Sequence, residues 1–322
     1  MATILVTAVG GDIGQAVVRC LRDGEPHRIL GCDTDACAGG RALVDEFHVA
    51  PPAESGEAYG TFIRRLIRGG VDRIFPISDP EIRHFSDHRE DFKGTTVFIN
   101  NRFIVDTFSD KLETGRFLAA GGLDVPRTWL PSRYQRGLPF PFLFKARHGQ
   151  GGQGLRVIGN QGEFDLYRGS IDDEGYIIQE IVGTACGEYT VGVFSDGEEI
   201  RSIAFLRELA GPWGGYSRKV VLVHDQGITD LATTVAKLTG LRGAINLQLR
   251  KVGQRNVILE INPRLSSTVR FRHLLWFRDV WWWMDLAEGR KLAAYTPRSG
   301  QCVGVKTYDE VIFYQPRPAS HR

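Results

Sequence analysis

Short hydrophobic runs alternate with amphipathic stretches through the first hundred positions of the chain. Ile4–Val6 reads as a buried strand, followed by a glycine-containing turn and a helical stretch from about Ile13 to Arg22. His27–Cys32 reads as a second strand ending at Asp33. A helix over Tyr59–Ile67 then leads into a strand at Arg73–Pro76, with another at Thr96–Ile99. Strands separated by helices pair in parallel, because each crossover returns the chain to the same end of the sheet. The pattern therefore predicts an open α/β lobe with a parallel sheet covered on both faces.

The rhythm changes near Asn101. Asp110–Ala120 reads as a helix stopped by Gly121-Gly122, and Pro131–Pro141 is rich in turn formers. Phe142–Ala146 reads as a strand that enters a glycine-dense loop. Tyr176–Gln179, Tyr189–Phe194 and Lys219–His224 read as strands, and Asp230–Thr239 as a helix. Two strands with one polar face follow, Ala244–Arg250 and Asn256–Asn262. No repeat or low-complexity tract interrupts this order.

Composition changes the picture in a few respects. At 322 residues the chain suits two domains or one domain with lobes. With 40 Lys and Arg against 38 Asp and Glu, the net charge of +2 argues against a broad binder of nucleic acid or membrane. Glycine is the outlier, at 38 of 322 residues, about 12% against a usual ~7%, so some segments need backbone freedom. Cys20, Cys32, Cys37, Cys186 and Cys302 lack Cys-x-x-Cys or zinc spacing and read as reduced thiols. The N-terminus has no signal-peptide pattern, and Trp281-Trp282-Trp283 is too short to span a bilayer. A cytoplasmic protein is expected, with those tryptophans on a helix in the core or at a subunit interface.

Three segments could carry chemistry. Gly10-Gly11-Asp12-Ile13-Gly14 opens the first helix, where backbone N–H groups can bind phosphate, and Asp33 follows Gly14 by 19 residues, as a ribose-binding acid would. The dinucleotide fingerprint, however, needs glycine where Val9 stands, so a tight turn packed on the sheet is the better reading. In Lys145-Ala146-Arg147-His148-Gly149-Gln150-Gly151-Gly152-Gln153-Gly154, four glycines within six positions let backbone amides approach a ligand, and Lys145 adds a charge for phosphate. A flexible hairpin tip is the alternative. In Asn246-Leu247-Gln248-Leu249 strand alternation puts both amides on one face and the leucines on the other, and in Ile258-Leu259-Glu260-Ile261-Asn262 it sets Glu260 and Asn262 opposite Leu259 and Ile261. If these strands pair, Gln248, Glu260 and Asn262 make an oxygen-donor cluster suited to Mg²⁺, although an exposed hairpin face is polar too.

The order of these motifs resembles the ATP-grasp superfamily, and most of all the synthetase half-modules of the carbamoyl-phosphate synthetase large chain and small carboxylate–amine ligases. Glu260-Ile261-Asn262-Pro263-Arg264, with Ser266-Ser267 after it, is similar to the family's metal and phosphate segment, and Gln248 matches the upstream metal ligand. Asp110-Lys111 and Lys145 resemble the two lysine motifs on the nucleotide phosphates. Gly149, Gly151, Gly152 and Gly154 resemble the flap above them. Gln179-Glu180-Ile181-Val182 is similar to the hinge that holds adenine, and Glu188 to the ribose acid. The resemblance implies a Rossmann-like domain over residues 1–100 and an ATP-grasp domain of two α+β subdomains clamping the nucleotide over 101–290. Its flap subdomain would span about 123–182, with residues 291–322 packing on the core.

It further implies ATP and Mg²⁺ (Mn²⁺ being the alternative ion), catalytic roles for Lys145 and Arg264, and a homodimer. The reaction it implies activates a small-molecule carboxylate as an acyl phosphate and joins it to an amine. Asp79 and Glu81, in a segment resembling the cleft-facing end of the first lobe, are candidate contacts for a substrate ammonium, with a helix cap as the alternative. Departures from the family pattern fall where substrate is chosen. Arg218 and Lys219 end an aromatic, glycine-rich stretch from Glu208, and Arg270, Arg272 and His273 follow the metal segment. The length holds one synthetase module, so a ligase other than a complete carbamoyl-phosphate synthetase is expected. A kinase-like phosphotransferase and an NAD(P)-dependent oxidoreductase are the competing classes.

Overall fold

The early alternation builds one parallel sheet in the computed structural model, which describes residues 1–135, 137–149, 152, 154–183, 187–209, 216–307 and 310–311. Its strands are β1 (Thr3–Val6), β2 (Arg28–Asp33), β3 (Glu46–Val49), β4 (Arg73–Phe75) and β5 (Thr96–Val97), in the order β3-β2-β1-β4-β5. Ile4 and Val6 pack into one hydrophobic cluster and Leu5 into another, so both faces of β1 are buried and its sequence is an unbroken apolar run. α1 (Asp12–Arg22) buries Ala16, Val17, Val18, Cys20 and Leu21 and leaves Arg19 and Arg22 in solvent. β3 was not expected from the sequence; it is an edge strand with no fully buried side chain, so its alternation is weak. α2 (Glu57–Arg68) and α3 (Asp79–Asp87) complete the lobe.

The Gly10–Gly14 turn is held by packing. A Cβ on Gly14 would lie 2.5 Å from the Ala8 carbonyl oxygen. Asp33 accepts from Gly10 N at 2.7 Å and from Asp35 N at 3.0 Å, so its carboxylate is engaged within the lobe.

After α4 (Arg102–Phe108) and α5 (Lys111–Ala120) comes a small antiparallel sheet of β6 (Thr128–Trp129), β7 (Phe142–Ala146), β8 (Arg156–Ile158) and β9 (Tyr176–Glu180), ordered β6-β9-β7-β8. α6 (Gln161–Arg168) covers it by packing Phe164 against Phe142, Phe144 and Ile178. The third sheet is antiparallel and six-stranded: β10 (Glu188–Ser195), β11 (Ile200–Leu209), β12 (Ser217–Val223), β13 (Gly243–Val252), β14 (Arg255–Asn262) and β15 (Val303–Val305), ordered β14-β13-β10-β11-β12-β15. The sequence reading lacked β11, whose polar positions obscure the strand pattern; pairing along both edges, with β10 and β12, defines it. α7 (Gln226–Thr239) begins four residues before the expected Asp230, because the Asp225 side chain caps it by accepting from Ile228 N at 3.0 Å.

α8 (Val269–Leu274) and α9 (Asp279–Ala287) lie between this sheet and α1. Trp282 and Trp283 are buried in α9, and Trp281 Nε1 donates to the Cys20 carbonyl at 2.9 Å, so the tryptophan run belongs to the core. Asn100, fully buried, donates to the carbonyls of Ala244 (2.7 Å) and Pro263 (2.9 Å) and fastens the first lobe to the third sheet. Among the described residues Cys20, Cys32, Cys37 and Cys302 are free thiols, and no helix is long and apolar enough to cross a membrane.

Candidate active site

A cavity of about 440 Å³ lies where the three sheets meet. Strand parity makes one wall of it. β10 buries Val191 and Val193 behind the sheet, and β13 buries Leu247 and Leu249 there. Glu188, Asn246, Gln248 and Arg250 therefore face the cavity. β7 does the same from the opposite wall, burying Phe142 and Phe144 and presenting Leu143 and Lys145.

β14 departs from strict alternation. Gln248 pairs with Glu260 and Leu249 with Ile258, so Leu259 is an extra residue, a β-bulge. Glu260 and Asn262 face the cavity as the period-two pattern requires. Leu259, assigned by that pattern to the opposite face, lines the cavity as well.

Lys145 Nζ lies 3.6 Å from Glu260 Oε2, with the side chains 14% and 17% exposed. Burial lowers the Lys145 pKa from its ordinary value; Glu260 opposes that shift and the neighbouring Lys111 adds to it. Lys111 Nζ donates to the Gly149 carbonyl at 2.7 Å. Gly149, Gly152 and Gly154 have φ of +89°, +77° and +69°, conformations that suit glycine, whereas Gly151 lies outside the described residues.

The root of this loop is clamped to α5. Arg147 Nε and Nη2 both reach Asp110, the closest contact being 2.7 Å, and Arg147 Nη1 donates to the Asp173 carbonyl at 2.9 Å. Asp110 also caps α5 through Leu112 N and Glu113 N. Burial alone would raise its carboxyl, but the hydrogen bonds from Arg147 and from these amides hold it below the ordinary carboxylate range. Asparagine caps a helix as well as aspartate does, so Asp110→Asn isolates the charge. The variant is expected to lose about 1–3 kcal/mol at neutral pH. A depressed folded pKa means that this gap is complete above roughly pH 4 and closes as the pH falls through the folded value, which denaturation at a series of pH values will check.

At the other end, Glu188 is buried between two arginines. Oε1 accepts from Arg207 Nη2, and Oε2 accepts from Arg250 Nη2 at 3.2 Å. Burial would raise this carboxyl; Arg207 first, and Arg250 after it, hold it below its ordinary value. Arg250 Nη1 also donates to the Val182 carbonyl at 2.9 Å, tying the linker after β9 to β13. Gln179, Glu180, Ile181 and Val182 line the cavity there, and Arg127 holds Glu180 at 2.7 Å.

Arg264 lines the cavity past the end of β14 and donates through Nε to Asp79 Oδ1 at 2.7 Å, an ion pair between the first lobe and the third sheet. Glu81 is a buried cap: it accepts from Thr7 Oγ1, from Ser78 N and Oγ, and from Tyr59 OH. Burial raises its pKa. Among the described residues the cavity wall includes neither Glu81 nor Arg218, Lys219 or Arg270. Arg218 pairs with Glu208 in solvent, Lys219 is exposed on β12, and Arg270 pairs with Asp23. Positions 210–215 of that stretch lie outside the described residues.

Sequence reading missed Arg207 and Arg250, set Leu259 on the opposite face, and placed Asn246 beside Gln248 without giving it a role. Arg250 was within its reach, two positions beyond Gln248 on the same strand face. Arg207 sits on the strand that went unread.

Gln248, Glu260 and Asn262 offer one carboxylate and two amide oxygens. That set fits a hard divalent cation that takes few protein ligands and completes its shell with phosphate and water.

A family model described as an ATP-grasp domain matches residues 108–268. The carbamoyl phosphate synthase large chain of Thermus thermophilus is 28% identical over 144 residues, 41% of this chain and 14% of the relative, so this chain matches about a seventh of that protein's length. The biotin carboxylase domain of 2-oxoglutarate carboxylase from Hydrogenobacter thermophilus, solved with MgADP, ADP and bicarbonate, superposes with a TM-score of 0.75 at 16% identity, covering 93% of this chain and 73% of that one. The L-amino acid ligase of Bacillus licheniformis superposes with a TM-score of 0.67 at 13% identity, covering 85% and 70%. At these identities the two structures share the fold.

Proposed function

The chain belongs to the ATP-grasp family, and on that premise we propose that it is an ATP-dependent ligase, activating a carboxylate as an acyl phosphate and joining it to an amine with release of ADP and phosphate. The observation that carries this reading is one cavity in which Lys145 and Glu260 meet beside a glycine-rich loop, with Leu143, Ile181 and Leu259 supplying apolar wall.

Those apolar side chains and the backbone of residues 180–182 would receive adenine, and Glu188, whose carboxyl its arginines hold below the ordinary value, would take the ribose. Lys111, Lys145 and the amides of the loop at Gly149, Gly152 and Gly154 bind the phosphates, as does Gly151 of the same loop. Gln248, Glu260 and Asn262 would hold Mg²⁺, which would supply positive charge to offset that of the phosphates. Phosphoryl transfer asks a protein chiefly for positioning and charge stabilisation. Lys145 and Arg264 supply positive charge around the transferred group, and Asp79 fixes the Arg264 guanidinium. The loop lowered over the phosphates keeps water from the acyl phosphate. The MgADP in the biotin carboxylase domain supports the nucleotide assignment by fold.

The test is a matrix of carboxylic acids and amines offered with ATP and Mg²⁺, reading ADP and phosphate separately and products by mass spectrometry. Phosphate release that requires both an acid and an amine, with the conjugate as product, is the expected result. ADP without phosphate, together with a phosphorylated small molecule, overturns it in favour of a phosphotransferase.

A further inference from the structure

The cavity has a second end, walled by the first lobe. Gly11, Asp12, Ile13 and Ser78 line it, and Tyr216, just before β12, lines it from across. The Asp12 carboxylate, in the first turn of α1, accepts from Lys306 Nζ at 2.5 Å, the two side chains being 36% and 17% exposed. The same ammonium lies 4.7 Å from the centroid of the Tyr216 ring. Lys306 is not itself among the lining residues; its ammonium stands directly against Asp12 and Tyr216, two side chains of the wall. Lys306 is delivered there by β15, which pairs with β12, and its backbone N donates to the Arg218 carbonyl at 3.0 Å. The N-cap of α1 is Gly11, which has no side chain to offer the first-turn amides. The helix thus directs positive potential into this end of the cavity.

We propose that Asp12, Lys306 and Tyr216 form the amine-acceptor pocket and that the acceptor is a zwitterionic α-amino acid, its carboxylate taken by Lys306 and its amino group by Asp12; this rests on the ligase reading above. The pair is partly buried, so exchanging it for a ligand costs least when the ligand restores both charges. A zwitterion replaces both partners at once and leaves neither charge alone. A dicarboxylate would set a like charge against Asp12, and a simple amine would leave the mostly buried Lys306 ammonium without a counter-charge. Selectivity then comes from what the pair rejects as much as from what it binds. The carboxylate held at Lys306 also lies beside the open first turn of α1, and the amino group is left on the cavity side.

The experiment measures ligand-induced thermal stabilisation and calorimetric binding on the full chain with MgADP present. The probes are the proteinogenic L-amino acids and, for each one that binds, the matching amino-acid amide. At least one amino acid is expected to bind more tightly than its amide. Lys306→Met should weaken the amino acid about ten- to hundredfold and bring acid and amide to equal affinity, while Lys306→Arg restores the preference. A role confined to latching β15 would weaken acid and amide alike, so an unchanged acid-to-amide ratio in Lys306→Met overturns the proposal. MgADP affinity and the melting point without ligand report separately on the nucleotide site and the fold.

Two results separate this pocket from the ligase reading. Amino acids that bind with the Lys306 pattern, together with ATP turnover that never needs an acid, leave the amino-acid pocket standing and overturn ligation. Turnover that needs an acid but prefers amines lacking a carboxylate overturns the pocket and leaves ligation standing.

Discussion

Glu260→Gln is expected to lower ATP turnover by on the order of 10²–10³, read as ADP release at saturating substrate. Glu260 is the single carboxylate of the proposed metal set, so the change removes the charge that draws a hard cation to Gln248 and Asn262. It also removes the counter-charge 3.6 Å from Lys145 Nζ. Burial already pulls the Lys145 pKa down and Glu260 is the principal influence holding it up, so in the variant Lys145 sheds its proton at a lower pH. Residual turnover should therefore decline with rising pH earlier than in the parent. Glutamine is nearly isosteric, and the circular dichroism spectrum should be preserved. Near-normal turnover in a folded variant would remove Glu260 from the metal site.

Arg272→Ala should cost about 3–5 kcal/mol of folding stability, measured by denaturation. Arg272 and Asp279 are each only 1% exposed, and Arg272 Nε and Nη2 meet Asp279 Oδ2 at 2.9 and 2.6 Å. Truncating the arginine leaves a carboxylate inside the protein with no cation. Burial already raises the Asp279 pKa, and without Arg272 it rises further. Folded Asp279 then binds a proton more readily than unfolded Asp279, so the deficit should shrink in mildly acid solution and grow as the pH rises. The double variant Arg272→Met with Asp279→Asn should recover much of the loss, since it removes both charges. Activity should suffer with stability, because Arg272 Nη1 also donates to Ser266 Oγ (2.8 Å) and Thr268 Oγ1 (2.9 Å), and Ser266 Oγ in turn donates to Asn246 Oδ1 at 2.8 Å on the cavity wall.

Much of the fold could be read from the chain because its signals are local. The run at Ile4–Val6, the amphipathic stripe of α1 and the alternation around Gln248 each announce an element within a few residues. What escaped has a physical reason in each case. β3 is an edge strand that buries little, and β11 is defined by pairing on both sides in spite of its charged residues. The start of α7 depended on the cap at Asp225, a side chain outside the apolar repeat. The bulge at Leu259 changes which side chains face the cavity, and period-two reasoning has no term for an inserted residue.

The sequence by itself determined the chemistry the chain carries. The order of Asp110-Lys111, Lys145, the glycine loop, Glu188, Gln248 and Glu260–Arg264 is written along the chain and marks it as an ATP-grasp protein. Only the tertiary structure decided which charges meet. Arg264 finds Asp79 across 185 positions, Glu188 is shared between Arg207 and Arg250, and Lys306 closes on Asp12 across 294. Partners so distant leave no periodicity behind, because loop closure and packing bring them together and neither depends on the residues beside them in sequence. The candidate residues proposed for the nucleotide were therefore legible in advance. Those at the proposed acceptor end, Asp12 and Lys306 above all, emerged only once the two ends of the chain were brought into contact.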